Sequence, residues 1–149
     1  LPNTAEWNYS ILNNVYKITI SLDTKNGGIF NLGKLTTHIL DLAHGCPAAG
    51  VRIELCGVSH GDGFAPLGES TTNEDGRCDK PILEGDDFTA GAYELRFHVG
   101  AYFASKNLNL PDLPFLDVVP IRFGISAPGD HYHVPLLVSP YAYSTYRGS

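Results

Sequence analysis

Short alternating runs, each closed by a glycine or proline turn, constrain this chain more than any other feature. Lys34 to Ala43 and Val51 to Val58 alternate apolar with polar residues and are separated by Gly45-Cys46-Pro47-Ala48-Ala49-Gly50. That layout is expected of adjacent β-strands, because successive side chains of a strand face opposite sides of its sheet. Leu67 to Thr72 follows, then the tight turn Asp75-Gly76, then Gly91 to Val99 with Tyr93, Leu95, Phe97 and Val99 on one face. Phe115 to Ile125, His131 to Val138 and Tyr141 to Tyr146 supply the last strands. Pro120 and Pro135 within them donate no ladder hydrogen bond and imply edge positions or bulges. Ala101 to Asn107 lacks alternation and is the helical candidate, while two prolines make Asn109 to Pro114 irregular. About eight short strands and one short helix describe a mainly β fold, a two-sheet β-sandwich.

Ahead of these runs, Val15 to Leu22 reads as a further strand, with Asp23 to Gly28 as a turn. Glycines from Gly27 to Gly33 mark a boundary between an extension, residues 1–33, and a main domain, residues 34–149. The extension either adds a strand or acts as a linker, and carries no chemical motif. With 43% hydrophobic and 17% charged residues and no apolar run of membrane-spanning length, a soluble protein without a membrane partner is expected. A net charge of −6 with ten scattered Lys plus Arg leaves no basic stripe for phosphates, so nucleic acid is not an expected partner. Cys46, Cys56 and Cys78 form no CxxC pair, which favours reduced, buried thiols and a cytoplasmic location, with peroxisome and periplasm as alternatives. The chain begins at Leu1, contains no methionine, and shows no pattern of a retained signal peptide.

Four places carry residues suited to chemistry. In Leu35 to Asp41, alternation sets Leu35, Thr37, Ile39 and Asp41 on one face and Thr36, His38 and Leu40 on the other, so His38 lies on a polar face. His131 and His133 share a face opposite Tyr132, Val134 and Leu136, provided Pro135 does not interrupt the pleat. With His38 as a third ligand, these imidazoles keep a zinc hydrolase open on residue types alone. Arg77 follows the Asp75-Gly76 turn, where its planar fork suits a flat anion with two acceptors. The ending Tyr146-Arg147-Gly148-Ser149 closes a patterned segment rather than a polar tail, and is expected to belong to a site.

Leu35-Thr-Thr-His-Ile-Leu-Asp41, Gly45-Cys-Pro-Ala-Ala-Gly-Val51, Thr72-Asn-Glu-Asp-Gly-Arg77 and the terminal Tyr-Arg-Gly-Ser together resemble the transthyretin-like 5-hydroxyisourate hydrolases. The resemblance covers residues 34 to 149. It implies a transthyretin-like sandwich, metal-independent hydrolysis of 5-hydroxyisourate in urate degradation, no cofactor, and a homotetramer with sites in a central channel. It further implies that His38, Arg77, His133 and Ser149 are catalytic and that His38, Arg77, Tyr146 and Arg147 contact substrate; His131 has a weaker claim and is assigned a supporting role. His44 is assigned to the surface, and the residues do not say which histidine is the base. The alternatives are a transthyretin-like carrier of small ligands without turnover, and a structural or adhesion sandwich.

Overall fold

The computed structural model describes residues 4–11, 14–21, 33–61 and 63–148. The chain divides into two compact units, Leu1–Phe30 and Asn31–Ser149. In the first, β1 (Thr4–Ile11) and β2 (Asn14–Ser21) pair antiparallel from Thr4↔Ser21 to Ile11↔Asn14. The strand expected over Val15 to Leu22 is thus β2, whose partner β1 the sequence pattern did not reveal. The turn expected over Asp23 to Gly28 lies outside the described residues.

The second unit is a β-sandwich. One sheet has the order β10-β9-β6-β7, from β6 (Arg52–Val58), β7 (Phe64–Thr71), β9 (Gly91–His98) and β10 (Val118–Ile125). The strand expected from Leu67 starts earlier, at Phe64, and a bulge between Leu55 and Cys56 absorbs the extra residue opposite. Pro120 sits on β10, at the edge of this sheet, where its missing N–H costs no ladder bond.

The other sheet comes in two pieces because its two central runs both break. β3 (Lys34–Thr36) and β4 (Ile39–Asp41) are successive parts of one run, as are β11 (His131–His133) and β12 (Leu136–Ser139). The pieces have the orders β11-β3-β8 and β13-β12-β4-β5, with β5 (Cys46–Pro47), β8 (Leu83–Glu84) and β13 (Ala142–Thr145). Pro135 does interrupt the pleat, since it has no N–H to donate. Other donors hold the runs together across the gap. Val134 N–H donates to the Thr36 carbonyl (3.0 Å), Leu136 N–H to His38 (2.9 Å), and the Thr37 hydroxyl to Val134 (2.6 Å).

Between the sheets, Leu35, Ile39, Leu136 and Val138 meet Ile53, Leu55, Leu95 and Phe97, all at most 1% exposed. Burying each such side chain contributes about 1.5–3 kcal/mol, which fixes which face of each strand turns inward. Helix α1 (Val99–Ala104) begins two residues before the expected Ala101 and buries Tyr102 and Phe103. Tyr102 donates to the buried Asp41 (2.9 Å), which also accepts from the Ala43 and His44 amides and from His44 Nδ1 (2.6 Å). Burial alone would raise this carboxyl's pKa, but the bonds from the His44 and Tyr102 side chains and the His44 amide leave it lowered. His44, read as a surface residue, therefore also clamps the end of β4. Cys56 is buried and Cys78 half-buried, but Cys46 is exposed on β5, so the expectation of buried thiols fails there. The two-residue strand leaves the Cys46 side chain no covering layer.

Candidate active site

β3 and β11 run parallel with Lys34↔His131, Leu35↔Tyr132 and Thr36↔His133 in register. Leu35 and Tyr132 turn into the core, so Thr36, His131 and His133 share the outer face. The Thr36 hydroxyl oxygen lies 2.7 Å from His131 Nε2 and 2.8 Å from His133 Nδ1. His38 continues this face and forms a backbone bridge with Arg77.

A single turn delivers Arg77 to that position. The Asn73 side-chain oxygen accepts from the amides of Asp75 (3.0 Å) and Arg77 (3.2 Å), while Asn73 N–H donates to the Arg77 carbonyl (2.8 Å). Gly76 has φ +69°, and its carbonyl accepts from Ile39 N–H at 2.9 Å. A Cβ at Gly76 would stand 2.5 Å from the Ile39 carbonyl oxygen, so the turn lies flat against the start of β4. Glycine is needed both for the left-handed backbone and for this approach.

Burial lowers the pKa of His38, and the Arg77 charge lowers it further. His133 is lowered by burial first, then by Arg77, His131 and His38. Each effect disfavours imidazolium, so both rings are neutral at pH 7 and able to take a proton. Arg77 itself is exposed, with its charge offered to the face that the histidines occupy.

The C-terminal segment reaches the same strand. Thr145 Oγ1 donates to the Pro135 carbonyl (2.7 Å), and Gly148 bridges His133 through Gly148 N–H to the His133 carbonyl (2.9 Å). A Cβ on Gly148 would meet His133 Cδ2 at 2.6 Å, so the tail packs directly on the imidazole. Arg147 lies 4.5 Å over the Tyr132 ring and 3.7 Å from an Asp130 oxygen. With Tyr146 it lines a cavity of about 280 Å³, together with Tyr132, Val134, Ile121 and Phe123. This cavity is on the Tyr132 side of β11, away from the histidines. The structure therefore groups His38, Arg77, His131, His133 and Gly148, and places the Tyr146 and Arg147 side chains elsewhere. Ser149 lies outside the described residues.

Among the described residues no group of three His, Cys, Asp or Glu side chains has metal-binding geometry. The nearest nitrogens of His131 and His133 are taken by Thr36 instead. Sequence reasoning placed Thr36 only as part of a polar face. Its position two residues before His38 was the available signal, but the contact depends on a strand some hundred residues away.

A model of the HIUase/Transthyretin family matches residues 35–148. The chain belongs to the HIUase/transthyretin family. Within it, this chain is 54% identical over 118 residues to a 5-hydroxyisourate hydrolase of Pseudomonas aeruginosa, covering 79% of this chain and 93% of the relative. It is 52% identical to the 5-hydroxyisourate hydrolase of Ralstonia nicotianae, covering 79% of this chain and all (100%) of that one. Among solved structures, an (S)-allantoin synthase superposes with a TM-score of 0.74 at 53% identity over 78% of this chain, which spans 44% of the synthase. Sea bream transthyretin in complex with thyroxine superposes at 0.68 and 27% identity, covering 77% of this chain and 94% of that one. The family match leaves the β1–β2 unit outside it.

Proposed function

We propose that this protein hydrolyses 5-hydroxyisourate to 2-oxo-4-hydroxy-4-carboxy-5-ureidoimidazoline in urate degradation. The observation that carries the proposal is the meeting of two neutral imidazoles and one guanidinium, His38, His133 and Arg77, on one outer sheet face. The relatives named as hydrolases, more than half identical over this region, support the same reading. Opening the ring breaks an acyl C–N bond. A water attacks the carbonyl, a neutral histidine takes its proton, Arg77 stabilises the developing oxyanion, and the leaving nitrogen receives a proton. No cofactor is invoked. We assign the chemistry to residues 34–149 and leave residues 1–33 outside it.

In this reading Arg147 fixes the tail through Asp130 and Tyr132, Ser149 offers its hydroxyl, and Tyr146, on the Tyr132 side of β11, is left out of substrate contact. The anchoring of Gly148 on His133 supports a role for the tail. Gly148→Ala is expected to lower kcat/KM by about 10- to 100-fold with thermal stability little changed, because the added methyl pushes the tail off His133. Wild-type kcat/KM in this variant would remove the tail from the mechanism.

Among the described residues, the site is open on a single chain. His131 and Arg77 are exposed, as are Leu42 (54%), Tyr141 (59%) and Tyr143 (45%), and among the described residues both β10 and β13 end their sheets with an unpaired edge. We therefore propose a homotetramer, a dimer of dimers, that covers the face and brings neighbouring subunits to each site. A fully active monomer in sedimentation overturns this. Among the described residues no helix is long and apolar enough to cross a membrane. The exposed Cys46 thiol supports a cytoplasmic location.

The first test generates 5-hydroxyisourate in situ from urate and follows its ultraviolet decay with and without the protein. Acceleration is expected. No acceleration favours a ligand carrier, the reading for which the similarity to thyroxine-bound transthyretin speaks.

A further inference from the structure

We infer that Thr36 joins His131 to His133 as a proton-sharing pair, making Thr36 and His131 positioning residues for the base. The inference rests on the proposed hydrolysis but adds two residues and a tautomer to it. It starts from register. Thr36 faces His133 directly across the parallel β3–β11 pair, and His131 lies two residues back on the same face. One hydroxyl oxygen therefore reaches both rings, at 2.7 and 2.8 Å.

A threonine hydroxyl carries one hydrogen and two lone pairs, and each neutral imidazole has one donor and one acceptor nitrogen. With one bond donated and one accepted, the two facing nitrogens take opposite roles. When His133 Nδ1–H donates to Thr36 Oγ1, the Thr36 hydroxyl donates to His131 Nε2. His133 then carries its free lone pair on Nε2, the nitrogen turned away from Thr36. That is the tautomer a general base requires.

The same chain balances a proton through one turnover. As water forms its C–O bond to the acyl carbon, its proton passes to His133 Nε2. His133 Nδ1–H moves to Thr36 Oγ1 while the Thr36 proton moves to His131 Nε2, so the positive charge ends on the exposed His131. When the C–N bond breaks, His133 Nε2–H goes to the leaving nitrogen. The two other protons shift back, which restores the starting tautomers. Burial of His133, and after it the neighbouring Arg77, His131 and His38, lower its pKa and oppose storage of the charge on His133 itself. Around the pair, Lys34 stands opposite His131 in register, Arg77 and His38 face His133, and Asp130 precedes His131 and meets Arg147.

The experiment compares the full chain with Thr36→Val, which keeps the shape, and Thr36→Ser, which keeps the hydroxyl. Imidazole ¹⁵N NMR across a pH series is run beside 5-hydroxyisourate kinetics. The inference expects Nδ1–H for His133 in the wild type and Thr36→Ser, and a shift toward the Nε2–H form in Thr36→Val. It expects kcat to fall about 100-fold in Thr36→Val with KM nearly unchanged, and Thr36→Ser to recover most of it. His131→Gln is expected to move the acidic limb of kcat while KM holds. A Thr36→Val protein with the wild-type tautomer and wild-type kcat overturns the inference. If Thr36→Val does not fold, Thr36→Ser with an Nε2–H His133, or His131→Gln with an unmoved limb, overturns it equally. A wild type without turnover refutes the hydrolase reading, and the tautomer spectra alone then decide the pairing.

Discussion

Arg77→Gln is expected to lower the plateau of kcat/KM by about 100- to 1000-fold and to move its acidic limb to higher pH. The first effect follows from losing the donor that meets the developing oxyanion, a contact whose strength grows toward the transition state. The second follows from the sign of the charge. Burial holds the pKa values of both His38 and His133 below the ordinary histidine value, and the Arg77 charge lowers them further. Activity needs a neutral base, so it falls as pH drops through those lowered pKa values. Without the guanidinium charge they rise, and activity is lost at a higher pH. Arg77→Lys separates the two effects. It keeps the charge and so the limb, but a point-like ammonium cannot reproduce the two-pronged contact with a planar heterocycle, and the plateau stays low. A pH–rate profile of the three proteins checks this. An Arg77→Gln limb that coincides with the wild type would show that Arg77 does not act on the base.

Gly76→Ala is expected to cost about 3 kcal/mol of stability, combining a strained left-handed residue with the loss of a backbone hydrogen bond. For a chain of this size that is a fall of about 10 °C in Tm. Two penalties coincide at Gly76. Its φ of +69° is one that side-chain-bearing residues rarely adopt, and the new Cβ would lie 2.5 Å from the Ile39 carbonyl oxygen, which cannot retreat. That carbonyl also accepts from Ala48 N–H, and Ile39 N–H donates to Gly76, so any relief breaks bonds on both sides of β4. Gly45→Ala and Gly50→Ala are the controls. They share the positive φ, +68° and +83°, but a Cβ there meets nothing within 4 Å. Each should cost only about 1 kcal/mol by thermal denaturation. Because the Gly76 turn also places Arg77, activity should fall further in Gly76→Ala than in either control. Equal losses of Tm in all three would show that close packing of the turn is not what glycine provides.

Much of the site was legible as alternation. Leu35, Thr37, Ile39 and Asp41 are at most 2% exposed, as their period of two required, and that leaves His38 on the other face. Tyr132, Val134 and Leu136 are buried opposite His131 and His133 for the same reason. Strand limits were less legible. The break between Thr36 and Ile39 has no local cause in its own residues. It mirrors Pro135 in the neighbouring run, a cost imposed by a partner rather than by propensity.

Sequence by itself determined which residue types face outward and where the chain must turn, because alternation, glycine and proline act within a few residues. It also marked His38, Arg77, His133 and the terminal segment as chemically equipped. Only the tertiary structure decided that Thr36 ties His131 to His133, that Arg77 presses its charge on two imidazoles, and that Arg147 turns to Tyr132 and Asp130. Those outcomes depend on the register between strands that are distant along the chain. Register is fixed by burial of a whole strand face at once, and no local pattern records it.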